Sequence, residues 1–144
     1  MNRKIAFDTS HLIQQWRRRR SDREIAKLSR REIEGWAAEL IDLHLTDVIC
    51  TPVRLEFLCN TGGRQELERA RWYLAKFRAV DGGETTREDW RLAERFAPKR
   101  KGDVKHARQL GDCLIAAIYS RFGYTLAPTP NLDLDLFRRM SSPD

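Results

Sequence analysis

Apolar positions along the 144-residue chain fall into short runs separated by longer stretches of helical period. Lys4-Ile5-Ala6-Phe7 is apolar on both faces and stops at Asp8-Thr9-Ser10, which predicts a buried parallel strand and then a capped helix. That helix would turn Leu12, Ile13 and Trp16 inward. An unbroken basic run, Arg17 to Arg20, follows, and Ser21-Asp22 gives a second capping signal. From there to about Leu43, Ile25, Leu28, Ile33, Trp36, Leu40 and Leu43 recur at mostly helical intervals. The step from Leu28 to Ile33 breaks the period, and Ser29 is a candidate boundary between two helices. Val48-Ile49-Cys50 predicts the next strand, closed by Thr51-Pro52, and Pro52 suits the start of a helix carrying Leu55, Phe57 and Leu58.

Gly62-Gly63 ends that helix. Gln65 to Lys76 predicts another, with Leu67, Trp72 and Leu74 inside, and Phe77-Arg78-Ala79-Val80 a third strand. Thr86 to Arg100 is helical, with Trp90, Ala93 and Phe96 on one face, and Gly102 breaks it. Leu110 to Phe122 predicts an apolar helix entered near Gly111-Asp112 and ended by Gly123. Tyr124-Thr125-Leu126-Ala127 then forms a fourth strand before Pro128-Thr129-Pro130. Strands alternating with helices argue for an α/β fold around a mostly parallel sheet. No internal repeat or low-complexity linker interrupts the chain. A single domain over residues 1–140 is expected, with a frayed tail at 141–144.

Composition narrows the class. Hydrophobic residues make up 41% of the chain, enough to build a core and to exclude wholesale disorder. No apolar run reaches roughly 18 residues, so no membrane helix is expected. Asp8 cuts off any apolar stretch behind Met1-Asn2-Arg3-Lys4, so no secretory signal is expected either, and a reducing cytoplasm is the expected compartment. Cys50, Cys59 and Cys113 lack metal-type spacing and argue against a disulfide framework or a zinc site. Lys and Arg exceed Asp and Glu by 27 to 21, a net charge of +6. That excess points to a polyanionic partner, nucleic acid first.

Against this basic background the positions of a few acids stand out. Asp8 follows the first strand, Glu56 lies about one turn into the helix after the second, and Asp112 opens the long apolar helix. Asp133 and Asp135 come shortly after the fourth strand. Ligands of open parallel sheets bind beyond the carboxyl ends of the strands, where these acids would converge. Two carboxylates about 4 Å apart repel by roughly 4 kcal/mol at an effective dielectric of about 20. Such a cluster needs protons or a cation, and oxygen ligands without His or Cys favour Mg²⁺ or Mn²⁺ over zinc. A metal held there can activate water and stabilise charge on phosphorus. The plainer reading of each acid is a helix cap or a turn residue.

The same residues resemble the PIN-domain family, most closely its VapC-type ribonuclease toxins of toxin–antitoxin modules. Phe7-Asp8-Thr9-Ser10-His11-Leu12-Ile13 is similar to the family's opening strand and Asp-Thr/Ser turn. Thr51-Pro52-Val53-Arg54-Leu55-Glu56-Phe57-Leu58 is similar to its second motif, and Gly111-Asp112-Cys113-Leu114-Ile115-Ala116-Ala117 to its Asp-x-Leu-Ile-Ala-Ala helix. Thr125 to Asn131 resembles the strand and Thr-x-Asn/Asp turn that follow. The resemblance spans essentially the whole chain. It implies a PIN-like α/β/α sandwich with a mostly parallel central sheet of four or five strands. It also implies metal-site and catalytic carboxylates at Asp8, Glu56, Asp112 and Asp133, with Thr9, Thr129 and Asn131 placing water or phosphate. In the family the fourth acid directly precedes an aromatic; here Leu136 precedes Phe137, so Asp133 is chosen and Asp135 held in reserve. A cognate antitoxin and a homodimer are implied as partners.

Two basic clusters, Arg17, Arg18, Arg19 and Arg20, and Lys99, Arg100, Lys101, Lys105 and Arg108, are the candidate RNA contacts. Their plainer reading is a solvated helix end and a charged loop. Trp16, Trp36, Trp72 and Trp90 are expected mostly in the core, Cys113 is expected as a small buried hydrophobe, and His11, His44 and His106 are expected to be ordinary. Together with the resemblance, these residues make a Mg²⁺- or Mn²⁺-dependent endoribonuclease toxin the expected function. The alternatives are a non-catalytic PIN-like module that binds nucleic acid or protein, and a structure-specific DNA nuclease.

Overall fold

A computed structural model describes residues 4–97 and 106–128, the side chains of 106–110 excepted. Strand β1 (Ile5–Ala6) occupies the first apolar run and gives way at Asp8 to helix α1 (Thr9–Arg20). After a short 3₁₀ turn at Ile25–Lys27 comes α2 (Arg30–His44), begun at Ser29, whose Oγ accepts the Glu32 backbone N–H at 3.2 Å. The break in hydrophobic period is thus a helix boundary. Strand β2 (Val48–Ile49) leads into α3 (Thr51–Cys59), with Pro52 in its first turn, and Gly63 at φ +108° starts α4 (Arg64–Leu74). The remaining elements are β3 (Arg78–Ala79), α5 (Arg87–Phe96), α6 (His106–Phe122) and β4 (Thr125–Leu126).

All four strands lie within the predicted runs and pair in parallel, β1 with β4 and β2 with β3. Among the described residues they form two sheets of two strands rather than one sheet of four or five. The reason lies in the strand lengths: each run gives only two ladder residues, and a helix or turn follows at once. Between the pairs run the Phe7 N–H to Val48 C=O bond at 2.9 Å and the Thr46 Oγ–H to Ile5 C=O bond at 2.6 Å. The fold is mixed α/β.

The core gathers Phe7, Leu12, Ile33, Ile49, Phe57, Leu74, Ile115 and Ile118, each worth about 1.5–3 kcal/mol when fully buried. Trp16 meets the rings of Trp36, Phe57 and Tyr73 edge-on at 5.2–5.7 Å between centroids. Cys113 is buried as expected, and Trp72 is partly buried under the Arg69 guanidinium. One expected core position is corrected, Trp90, which is 51% exposed; Leu55 and Leu43, apolar positions of their helices, also face solvent at 62% and 74%. On α5, Ala93 and Phe96 face inward while Trp90 faces outward, because Asp89 takes the buried place beside it.

That aspartate joins α5 to α6. Its side chain is fully buried and receives Arg121 Nε at 2.5 Å and Nη2 at 3.0 Å, and its Oδ2 accepts the Thr86 N–H at 2.9 Å. Burial works against the Asp89 carboxylate, but the Arg121 and Thr86 donors outweigh it and hold its pKa below the usual value. Arg121→Ala, which leaves that carboxylate without its cation, is expected to cost about 3 kcal/mol in urea denaturation at pH 7. A carboxylate with a depressed folded pKa stabilises the fold above its unfolded value of about 3.9, and this contribution is lost as pH falls through the folded value. The difference between wild type and Arg121→Ala should therefore shrink below about pH 4.

Candidate active site

The site begins with the backbone that follows β1. Phe7 C=O accepts the Tyr119 hydroxyl of α6 at 2.5 Å, and Asp8 N–H donates to His11 Nδ1 at 3.1 Å. Nε2 of the same imidazole lies 3.0 Å from Ala127 C=O, just past β4. A carbonyl only accepts, so these partners assign a neutral ring with its proton on Nε2. His11 thereby ties the start of α1 to the end of β4. It is structural rather than incidental.

Asp8 is 8% exposed, and its Oδ2 accepts the Ser10 hydroxyl at 3.1 Å. Thr9, 5% exposed, donates its hydroxyl to Glu56 Oε2 at 3.3 Å. Glu56 projects from α3, whose first turn is fastened by Asp81: that buried carboxylate accepts Thr51 N–H at 3.0 and 3.1 Å and Thr51 Oγ–H at 2.9 Å. The other side of Glu56 lies against α6 at Gly111. A Cβ at that position would collide with Glu56 Oε1 and sit 3.2 Å from Cδ. Next along α6 is Asp112, 7% exposed.

Thr9 and Glu56 are thus in direct contact, with Asp8 adjoining one and Gly111-Asp112 adjoining the other. Asp112 does not open its helix as expected. Helix α6 starts at His106, so Asp112 falls in the second turn, where no N-cap is needed. Glu56 stands mid-helix and is no cap either, whereas Asp8 occupies the N-cap position of α1. Thr129, Asn131, Asp133 and Asp135 lie outside the described residues, as do Lys99, Arg100, Lys101 and Lys105; Arg108 is placed only as part of α6. Among the described residues no three His, Cys, Asp or Glu side chains form a group that could hold a metal ion. What they offer is a set of oxygen donors at the junction of α1, α3 and α6.

The arginine run divides. Arg19 pairs with Glu39, and Arg20 makes a forked contact to Glu66 at 3.0 and 3.4 Å. Arg17 and Arg18 are exposed and make no ion pair among the described residues. Sequence reasoning passed over Glu66, Asp81 and the structural use of His11. Two carried a signal: His11 and Glu66 each occupy the third position of a helix, where a polar side chain reaches back to an open N–H. Asp81 carried none beyond preceding Gly82-Gly83.

Comparison of the chain with protein-family models, with curated proteins and with solved structures finds no match.

Two outcomes follow from this geometry. Gly→Ala inside a helix ordinarily adds about 0.5–1 kcal/mol of stability, and Gly35→Ala in α2, with open space around it, should show that gain in urea denaturation. Gly111→Ala should show none and instead lose stability, because Glu56 must be displaced. The second concerns acid. Burial holds the pKa values of His11 and His44 below the usual one, the Asp8 charge opposing it at His11. Both rings are thus neutral when folded at pH values where the unfolded chain begins to bind protons. Stability should be complete above about pH 6.5 and fall below it, by at most about 1.4 kcal/mol per pH unit for each histidine. In His11→Gln the slope should shrink to the His44 part.

Proposed function

We propose that the protein is a Mg²⁺- or Mn²⁺-dependent endoribonuclease that hydrolyses RNA phosphodiester bonds, the toxin of a type II toxin–antitoxin pair. One observation carries the reading: the Glu56 carboxylate is held by Thr9 on one side and fits the gap left by Gly111 on the other. The buried acids Asp8 and Asp112 stand next in the chain to those two residues. The reading treats the two parallel strand pairs and the helices around them as a PIN-like α/β/α sandwich, with the acids at its strand ends.

The donor set fits a hard cation. Mg²⁺ is usually bound through one or two carboxylates and keeps its other positions for water and a substrate phosphate. Asp8 and Asp112 are the residues assigned to hold it, with Asp133 as the further acid, and bound there it would supply charge stabilisation and an acidified water. Thr9 Oγ–H fixes the Glu56 carboxylate, and Glu56 is assigned to accept a proton from the attacking water. Thr129 and Asn131 are assigned to the phosphate. Arg17 and Arg18, with the cations between Lys99 and Arg108, are assigned to the RNA backbone. A homodimer, a cognate antitoxin and a cytoplasmic setting belong to the same proposal. No helix among the described residues is long and apolar enough to cross a membrane.

The test is cleavage of a structured RNA by the purified protein with Mg²⁺ or Mn²⁺. EDTA, Asp8→Asn and Asp112→Asn should each lower the rate by about 100-fold or more, the scale on which removing one transition-state-stabilising group acts. Activity indifferent to all three rejects the proposal. RNA binding without metal-dependent cleavage would instead select the non-catalytic module, and a preference for flaps or single-stranded DNA would select a DNA nuclease.

A further inference from the structure

Between α1 and α3, one helical turn from the Thr9–Glu56 contact, lies a cavity of about 280 Å³. Its floor is apolar: Trp16 and Phe57 are 4% and 2% exposed, with partly buried Ile13 beside them. Its rim is polar, formed by exposed Arg17 and Asn60 and by half-buried Thr61. Glu66 closes one side, but its oxygens are engaged. They accept the Trp16 indole N–H at 2.8 Å, Arg20 at 3.0 and 3.4 Å, and the Gly62 N–H at 2.7 Å.

Those contacts decide what the cavity can take. Glu66 neutralises Arg20 and also occupies the start of α4, so neither is open to an anion. Arg17 remains as the cation at the rim, without an ion pair among the described residues. Asn60 and Thr61 present side-chain oxygens as acceptors at the other edge, the Asn60 amide and the Thr61 hydroxyl already donating to Glu56 C=O at 2.8 Å and Leu58 C=O at 2.7 Å. An apolar floor, an uncharged polar edge and one arginine complement a nucleobase with its attached phosphate. The volume sits just below the roughly 300–1,000 Å³ usual for small-molecule pockets, which suits a single such unit.

Its position ties it to the candidate active site. Ile13 and Arg17 follow Thr9 by one and two turns of α1, about 6 and 12 Å along the axis. Phe57 follows Glu56 directly, and Asn60 Nδ2 donates to Glu56 C=O at 2.8 Å. We propose that the α1–α3 cavity is the subsite for one nucleotide flanking the phosphodiester that the nuclease reading assigns to Asp8, Glu56 and Asp112, with Arg17 holding its phosphate. The inference rests on the nuclease reading, and its test separates the two.

Adenosine 5′-monophosphate and adenosine are titrated by calorimetry into the full chain in EDTA buffer, with Arg17→Ala and the cavity-filling Ile13→Trp as variants. The monophosphate should bind, Arg17→Ala should weaken it at least tenfold while leaving adenosine unchanged, and Ile13→Trp should abolish both. Circular dichroism checks the fold, and Arg17→Ala, at an exposed residue, keeps the test decisive if Ile13→Trp does not fold. In RNA cleavage, Arg17→Ala should lower kcat/KM about tenfold, chiefly through KM. No binding of the monophosphate at millimolar concentration, or binding indifferent to Arg17, overturns the subsite. An unchanged kcat/KM in both variants, beside an inactive Asp8→Asn, overturns it too and leaves the nuclease reading standing. Arg17-dependent binding in a protein that cuts no RNA supports the nucleotide pocket and rejects the nuclease.

Discussion

The hydrogen-bond demand of the β1 backbone is the constraint on which the rest of the structure depends. A buried N–H or C=O left unpaired costs about 1–3 kcal/mol, and a two-residue strand has few neighbours of its own to supply partners. Here they come from several directions. Strand β4 bonds Lys4 and Ala6 C=O from Thr125 and Ala127 N–H, each at 2.9 Å, and Thr46 Oγ–H bonds Ile5 C=O. Val48 C=O takes Phe7 N–H, Tyr119 O–H bonds Phe7 C=O, and His11 Nδ1 takes Asp8 N–H. Meeting this demand places the candidate site as well. Tyr119 follows Asp112 by two helical turns and therefore shares its face of α6, so the bond that satisfies Phe7 also turns Asp112 toward the end of β1. The residue after Phe7 is Asp8.

Charge is organised by a similar economy. Glu66, Asp81 and Asp89 are buried acids whose donors explain their burial: an indole, a guanidinium and a backbone N–H for Glu66, a helix start for Asp81, and Arg121 with Thr86 for Asp89. They are scaffold. Their partners remove Arg20 and Arg121 from the pool of cations open to solvent, and Glu39 removes Arg19. These pairs leave the net charge of +6 unchanged and decide which cations carry it. Within the run from Arg17 to Arg20, the first two residues are the ones whose charge faces outward.

How much of this could be read from the sequence depends on which force set each feature. Strand and helix positions were legible where local chemistry decides them, as at Ser29, Pro52, Gly63 and Gly123. The acids after β1 and β2 were legible because a short apolar run followed by a polar residue leaves little choice of location. Burial on amphipathic helices was less so. Trp90, Leu55 and Leu43 fit the apolar period yet face solvent, while the charged Glu66 and Asp89 face inward. Period records residue type and not partner, and one well-placed arginine or indole reverses the preference at a position. Sheet size failed for a related reason, since run length fixes where strands start but not how many ladder bonds neighbouring runs share.

Gly111 bears on why the carboxylates stand where they do. Glycine inside a helix costs about 1 kcal/mol relative to alanine, so a helix built only for stability would not place one in its second turn. A close apolar contact could offset that cost, but the atoms filling the gap belong to a carboxylate, which gains nothing from contact with a Cα. The arrangement makes physical sense if the benefit lies in position. Without a side chain at residue 111, Glu56 can lie flush against α6 while Thr9 holds its other oxygen. The stability given up in α6 sets where the Glu56 carboxylate rests, which ties the glycine, the glutamate and Thr9 into one feature of the sequence.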